Sequence, residues 1–448
     1  MSGIVGMVNL DGAPVDRNLL QRMTGYMDFR GPDRQAIWNR DNVGFGHAAL
    51  CTTEESLSES QPQSLDNRLW ITADARIDGR DELRAKLAAN GRRGIVTDAD
   101  LILHAYDVWG DACVEHLLGD FAFAIWDGPR QRLFCARDHF GVKLFYYAHA
   151  GACFVFSNTL NCVRRHRAVG DRLNDHAIGD FLLFGYNPVL STTTFSDIQR
   201  LPPAHSLTLS AGGLQVRRYW SLPRDGDLIR YKNTGDYIDR FKELLRQAVK
   251  DRLRTNRIGI LLSGGMDSTA LAATARELQT LEGVPAQIHA YCCVYDRSPD
   301  DERFYAGLAA RTLGIPIEYL VLDDYPLFKD WDHAELVRPE PCDSPLLAID
   351  RDLLKLSAPQ SRVIFFGEDG DALLSSTSVV DMLKTSPLSQ VVADVLGYCL
   401  NYRRRPRIGL GVLSIFKRLA GARTDPVYPP WFDASFAVKY DLPRRWRE

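Results

Sequence analysis

The sequence predicts two folds in tandem: an α+β half built from packed antiparallel sheets, then an α/β half with a parallel sheet. Three observations predict this. The chain has 448 residues, which at roughly 150 residues per domain implies two or three hydrophobic cores. From Ile4 to about Trp220 it is a succession of short alternating or apolar segments separated by turn residues. After a polar stretch, Ser221 to Gly235, the rhythm changes to helix, strand, helix, strand, the pattern of a parallel sheet covered on both faces. The expected organisation is therefore a domain over 1–220, a linker over 221–235 and a second domain over 236–448.

In the first half, Val43–Leu50, Leu69–Ala73, Phe121–Trp126, Arg132–Arg137 and Cys153–Ser157 read as strands. Helical periodicity interrupts them at about 80–89 and 99–109; in the second helix Leu101, Ile102, Ala105, Tyr106 and Trp109 share a face, and Asp98 is placed to cap it. In the second half a helix near 236–253 leads to the strand Ile258–Leu262 and a helix from about 267. The strand Ala290–Tyr295, a helix near 301–313, the strand Tyr319–Leu322 and the strand Val363–Phe366 follow. No internal repeat or low-complexity segment is present.

Composition removes several classes of function. Hydrophobic residues at 45 % and charged residues at 25 % are those of a soluble globular protein, not of a disordered or fibrous chain. A net charge of −3 offers no global field for nucleic acid or an anionic membrane, so any polyanion must meet a local site. The nine cysteines are odd in number, scattered, and nowhere spaced as CxxC with histidine partners, which argues against a disulfide framework or a zinc site. Met1-Ser2-Gly3-Ile4-Val5-Gly6 lacks the basic start and apolar stretch of a signal peptide. No apolar run approaches the roughly 18 residues that cross a bilayer. A cytoplasmic protein without a transmembrane segment is expected.

The most informative stretch is Ile260-Leu261-Leu262-Ser263-Gly264-Gly265-Met266-Asp267-Ser268-Thr269, an apolar strand running into a small-residue loop and a helix. Backbone N–H groups at the glycines and the positive end of the helix dipole make a site for nucleotide phosphates, with Ser263 and Ser268 as added donors. Asp267 is out of place against bare phosphate, and its natural role is to hold a Mg²⁺ bridging the phosphate oxygens.

This Ser-Gly-Gly-x-Asp-Ser string resembles the pyrophosphate loop (PP-loop) of ATP pyrophosphatases, and it lacks the Gly-Lys-Ser/Thr ending of a kinase-type P-loop. Four more segments, Arg30-Gly31-Pro32-Asp33, Gly119 to Asp127, Ala136 to Lys143 and Leu201-Pro202-Pro203-Ala204-His205, resemble the asparagine synthetase family. The resemblance implies an Ntn-hydrolase-like four-layer sandwich for the first half, a type 2 glutamine amidotransferase domain, and a PP-loop ATP pyrophosphatase for the second. It also implies that Ser263, Gly264, Gly265, Asp267 and Ser268 bind ATP and its pyrophosphate.

After the strand Val363–Phe366 comes Gly367-Glu368-Asp369-Gly370-Asp371, acids between glycines at the carboxyl end of a parallel strand, where doubly wound sheets put ligands. The resemblance implies that Asp371 joins Asp267 as metal ligand and that Glu368 faces the acyl-adenylate and incoming amine. A carboxylate there can take the proton that an attacking amine must lose. Ala372 stands where the family has another acid. Asp300 to Ala306 resembles a segment near the nucleotide, although acids at a helix start also serve as caps. Pro339 to Pro345 is expected to be a rigid loop near the active site.

The first half departs from glutamine-dependent members of the family. Ser2 stands where they carry an amino-terminal cysteine, and a hydroxyl is a far weaker nucleophile than a thiol. Ala49 replaces the glutamine-binding arginine, and Asp74-Ala75-Arg76 replaces the Asn-Gly-Glu of the oxyanion hole and ammonium contact. An ionised aspartate cannot donate to an oxyanion, and Arg76 puts positive charge where a cationic amine would bind. Asp98 survives. The domain is expected to fold as a glutaminase without hydrolysing glutamine.

That pattern is similar to β-lactam synthetases and to the macrolactam synthetases that close lasso peptides, in which an amine of the substrate itself attacks an adenylylated carboxylate. The strings Ala73 to Leu83 and Cys135 to Lys143 look closest to the lasso-type branch. The expected protein is thus an ATP- and Mg²⁺-dependent amide-forming ligase acting on a carboxylate, with a precursor peptide as the candidate substrate. Its rivals are an ammonia-dependent asparagine synthetase and a non-catalytic scaffold completed by a partner protein. Arg403-Arg404-Arg405-Pro406-Arg407 with the apolar segment after it reads either as an element that lies on an anionic membrane or holds a peptide, or, the favoured reading, as an amphipathic element packed on the synthetase domain with its arginines solvated. From Gly367 to Glu448 there are 82 residues, fewer than the resemblance implies for a full acceptor pocket, and neither Lys417 nor Lys439 falls in a motif.

Overall fold

The amino-terminal half is woven from β1 (Gly3–Asn9), β2 (Arg34–Arg40), β3 (Val43–Ala49), β4 (Gln63–Leu65), β5 (Leu69–Asp78), β6 (Leu118–Asp127), β7 (Arg132–Arg137), β8 (Tyr146–Ala150), β9 (Cys153–Ser157), β10 (Gln199–Arg200), β11 (His205–Ser210) and β12 (Gly213–Arg218). In the computed structural model they form two six-stranded sheets, ordered β10-β8-β9-β1-β3-β2 and β12-β11-β7-β6-β5-β4, with every pairing antiparallel. The structure describes all residues except 224–228, 299–301, 369, 371–378, 380–381, 384–386, 404–427 and 448.

Strand periodicity sorts side chains between layers. From β1, Ile4 and Val8 join Phe45, Ala122, Ala124, Trp126, Phe154 and Phe156 in a core between the two sheets. Their neighbours Val5 and Met7 face outward and pack with Leu20 and Met23 of α1 (Arg17–Tyr26). On the outer face of the other sheet, Ile71, Ile77, Phe121, Phe123 and Ile125 pack with α3 (Arg80–Ala89) and α4 (Asp98–Trp109) through Leu83, Leu87, Leu101, Ile102 and Tyr106. A short α2 (Glu54–Ser58) precedes β4. Helices, sheet, sheet, helices make the four layers that the sequence implied.

One local expectation is corrected. Asp98 does not cap α4 but is its first residue. The cap is Thr97, whose side chain accepts from Asp100 N while the Asp100 carboxylate accepts from Thr97 N. A Thr-x-x-Asp box satisfies two end groups at once, which a single aspartate one residue later does not.

The second half begins with α5 (Thr234–Arg252) and continues through β13 (Arg257–Leu261), α6 (Met266–Glu282), β14 (Gln287–Val294), α7 (Glu302–Leu313), β15 (Ile317–Val321), α8 (Leu347–Ser357) and β16 (Val363–Phe365). The four strands form a parallel sheet in the order β15-β14-β13-β16, with Ile258 opposite Val363 and Ile260 opposite Phe365. Ile258, Ile260, Ala272, Ala275, Ile288, Ala290, Ala306 and Phe365 belong to its core. The chain steps outward from β13 to β15 and returns to the opposite side of β13, so the carboxyl ends of β13 and β16 flank a reversal of strand order, where such sheets bind ligands.

By compactness the chain divides into Met1–Phe366 and Gly367–Glu448. The second unit contains α9 (Leu388–Tyr402), α10 (Ala434–Lys439), capped by Asp433 accepting from Phe436 N at 2.8 Å, and α11 (Leu442–Arg445). All nine cysteines are free. Among the described residues no helix is long and apolar enough to cross a membrane.

Candidate active site

The loop between β13 and α6 brings together the five residues expected to bind phosphate. Ser263 Oγ lies 3.1 Å from Ser268 Oγ and accepts from Gly265 N at 3.3 Å. Ser268 is buried, and its hydroxyl donates to Gly265 O at 3.3 Å. Gly264 has φ of +80°, and a Cβ there would fall 2.5 Å from both Ala306 N and Tyr305 Cβ, so only glycine fits. Gly265 caps α6 with no side-chain hydrogen bond, which leaves the first-turn N–H groups for an outside acceptor. This serine-lined, uncapped helix start fits a phosphate group. Asp267 sits in the same first turn, half-buried, and a phosphate beside its carboxylate requires a cation between them.

Among the described residues no group of three or more His, Cys, Asp or Glu side chains could hold a metal by itself. A Mg²⁺ at Asp267 would thus draw its remaining ligands from phosphate oxygens, water and groups outside the described residues. Glu368 is described and exposed. Asp371, with Asp369, Ala372, Asp300, Asp301, the basic run from Arg404 and Lys417, lies outside the described residues.

Of the expected glutaminase positions, Ser2, Asp74, Ala75, Arg76 and Asp98 lie along a cavity of about 570 Å³, whose walls also include Lys143 from the first half and Leu245, Val249, Leu271 and Phe365 from the second; Ala49 does not line it. Ser2 Oγ accepts from Leu50 N at 3.1 Å. Ala49, buried at the end of β3, presents no charge. Asp74 lies on β5 with one oxygen 3.0 Å from Lys143 Nζ and the other accepting from Asn158 Nδ2 at 3.2 Å; Arg30 stands 3.9 Å away. Burial alone would raise the Asp74 pKa, but Lys143, the amino terminus and Arg30 outweigh it and hold the carboxyl below its ordinary value. Asp74 is therefore a carboxylate, an acceptor only. Desolvation beside this cluster pushes the terminal amine down to about 6, against the pull of Asp74.

Arg76 forks onto Asp78 through Nε and Nη2, both at 3.0 Å, and reaches Asp120 at 3.0 Å. Asp98 is held by Arg80 at 3.3 Å and Arg254 at 3.0 Å. Lys143 belongs to a string that the sequence singled out, although its partner was not legible there. Asn158, Arg252, Arg254 and Arg362 carry no sequence signal, because each acts through a fold-dependent contact.

A glutamine amidotransferase domain model matches residues 1–220, and an asparagine synthase model matches residues 240–397. The chain belongs to the asparagine synthetase family. It is 29 % identical over 375 residues to asparagine synthetase [glutamine-hydrolyzing] 3 of Bacillus subtilis, covering 79 % of this chain and 60 % of that protein. It is 26 % identical over 383 residues to amidase chyE of Penicillium rubens, covering 79 % of this chain and 54 % of that one. The chain thus spans little more than half the length of these relatives. Among solved structures, a glutamine phosphoribosylpyrophosphate amidotransferase from B. subtilis aligns over 82 % of this chain and 91 % of that chain at 12 % identity, with a TM-score of 0.37.

In this member of the asparagine synthetase family, contacts within Met1–Phe366 tie the amidotransferase-like half to the synthase sheet. Arg362 Nη2 meets both oxygens of Asp33, at 2.9 and 3.0 Å, and Arg252 meets Asp78 at 3.3 Å. Glu340, in the loop expected to be rigid and near the active site, accepts from Arg200 at 2.7 Å, from Tyr146 Oη at 3.3 Å and from Thr194 N at 3.2 Å.

Proposed function

We propose that this protein is an ATP-dependent carbon–nitrogen ligase that takes its amine from a source other than glutamine. The uncapped start of α6, with Ser263, Gly264, Gly265 and Ser268 shaped around it, carries the reading. A substrate carboxylate oxygen attacks the α-phosphorus of ATP, the bond to the bridging oxygen breaks, and pyrophosphate leaves into the α6 loop, whose donors stabilise its charge. An amine then attacks the acyl carbon, AMP leaves, and the amine's extra proton passes to a base, the role assigned to Glu368. When bound, Mg²⁺ neutralises charge on the phosphate oxygens; Asp267 and Asp371 are its assigned ligands.

The cavity supports this reading of the amine source. With Asp74 ionised and fixed by Lys143 and Asn158, no donor is offered to an oxyanion at that position, and Ala49 supplies no charge for a substrate carboxylate. This supports an acceptor amine carried by the substrate, as in macrolactam closure of a precursor peptide. The names of relatives such as the B. subtilis asparagine synthetase favour a second reading, asparagine synthesis; with the glutamine positions altered as they are here, that reading takes free ammonia as the amine.

ATP–pyrophosphate exchange tests both. Exchange that depends on a precursor peptide selects the macrolactam ligase, and exchange with aspartate followed by ammonia-dependent asparagine formation selects the second reading. Absence of exchange with any carboxylate, alone or with a partner protein, would sink both in favour of a scaffold. Release of glutamate from labelled glutamine at the pace of a working glutaminase would overturn the assignment of the amine source.

A further inference from the structure

Arg254 lies in the short link between α5 and β13, three residues ahead of the strand whose far end carries the phosphate loop. Its guanidinium leaves the synthase sheet and enters the wall of the amidotransferase-like cavity. There Nη1 donates to Asp98 Oδ2 at 3.0 Å and to Ile77 O at 3.4 Å, and Nη2 reaches Glu55 at 3.5 Å. Arg80 closes the group, 2.8 Å from Glu55 and 3.3 Å from Asp98. Two guanidinium groups and two carboxylates thus alternate, and the Arg254 and Asp98 side chains are only 13 % and 11 % exposed. A pair so shielded from solvent is screened little by salt and is costly to break from one side.

We propose that Arg254 is a positioning residue: by holding Arg254 between Asp98, Glu55 and the Ile77 carbonyl, the amidotransferase-like half fixes the amino end of β13 and so the Ser263–Ser268 loop at its other end. β13 has five residues, paired with β14 along its length and with β16 at Ile258, Gly259 and Ile260. A strand rises about 3.3 Å per residue, and pairing on both sides keeps β13 extended, so a shift at its start is passed to its end. The first half then serves the second by geometry, without supplying ammonia. Arg362, just ahead of β16, makes a like contact with Asp33, but at 40 % exposure it is the weaker anchor. The contact modes also differ: Arg362 uses a single nitrogen, which a lysine can imitate, whereas Arg254 uses two nitrogens on three acceptors, which a lysine cannot.

The proposal rests on the nucleotide reading of the loop, so its test has an arm that does not. Arg254→Met, Arg254→Lys, Asp98→Asn and Arg362→Lys are compared with wild type in the full chain, each first checked for an unchanged circular dichroism spectrum. Hydrogen–deuterium exchange is followed at the amides of 258–268, and binding of a non-hydrolysable ATP analogue with Mg²⁺ is measured by calorimetry. The expected result is faster exchange at 258–268 in Arg254→Met and Asp98→Asn, an intermediate rate in Arg254→Lys, a wild-type rate in Arg362→Lys, and analogue binding weakened about tenfold in the first two. Wild-type exchange at 258–268 in folded Arg254→Met overturns the proposal whatever the nucleotide does. Faster exchange in Arg254→Met with a wild type that binds no analogue upholds the brace and removes the nucleotide reading instead. If Arg254→Met does not fold, Arg254→Lys and Asp98→Asn decide, and wild-type exchange in both overturns the proposal.

Discussion

A methyl group on Gly264 would meet the Ala306 amide nitrogen at 2.5 Å, and its φ of +80° would strain any L-residue. Gly264→Ala is therefore expected to abolish binding of an ATP analogue in calorimetry and, because the Tyr305–Ala306 backbone must also shift, to lower the melting temperature by several degrees, about 2–3 kcal/mol, with the folded circular dichroism spectrum kept. Wild-type affinity in that variant would show that the loop is not the nucleotide site. His47 makes a different demand. Complete burial pushes its pKa down to about 4, against pulls from Asp74 and the Ala73 backbone. The unfolded chain binds this proton near pH 6.5 and the folded one only near 4, so stability falls as pH drops through that window and levels off below it. The full loss is about 3 kcal/mol. Denaturant titrations from pH 7.5 to 4.5 are expected to show a shallower loss for His47→Leu than for wild type; equal slopes would contradict the assignment.

At the scale of elements, the start of α4 separates what the sequence displays from what it hides. The helix itself is legible from the spacing of Leu101, Ile102, Ala105 and Tyr106, but its cap is not, because acids and hydroxyls crowd the same four positions. The box of Thr97 and Asp100 implies that Thr97→Ala costs about 1 kcal/mol in urea unfolding, and a change within experimental error would rule the cap out. β13 and its loop were legible because strand, small residues and helix follow one another in the chain. The Pro339–Pro345 loop was legible only as rigid and near the active site, since the partners of Glu340 lie at Tyr146, Thr194 and Arg200, far away in sequence. Glu340→Gln weakens the charge on three hydrogen bonds at once, and faster proteolysis within 339–345 is the expected sign. An unaltered cleavage pattern would mean that this loop is held by other contacts.

For the whole molecule, the two folds could be read from patterning, because strand alternation and strand–helix alternation leave different periods in the sequence. How the halves meet could not, since Asp33, Asp78, Asp98 and Glu55 carry no mark that distinguishes them from other acids until Arg362, Arg252 and Arg254 are brought to them. Opening the chain with an engineered protease site at 224–228 is expected to leave the two pieces co-eluting at physiological salt. Separation on gel filtration would show that the shared pairs do not hold the halves together. One of these contacts also constrains substitution. Arg76 balances Asp78 and Asp120, and Asp78 in turn engages Arg252. Exchanging Arg76 alone for an acid would crowd three negative charges around one guanidinium. Position 76 is thereby locked by its neighbours: an acid can be accommodated there only together with changes at Asp78 or Asp120.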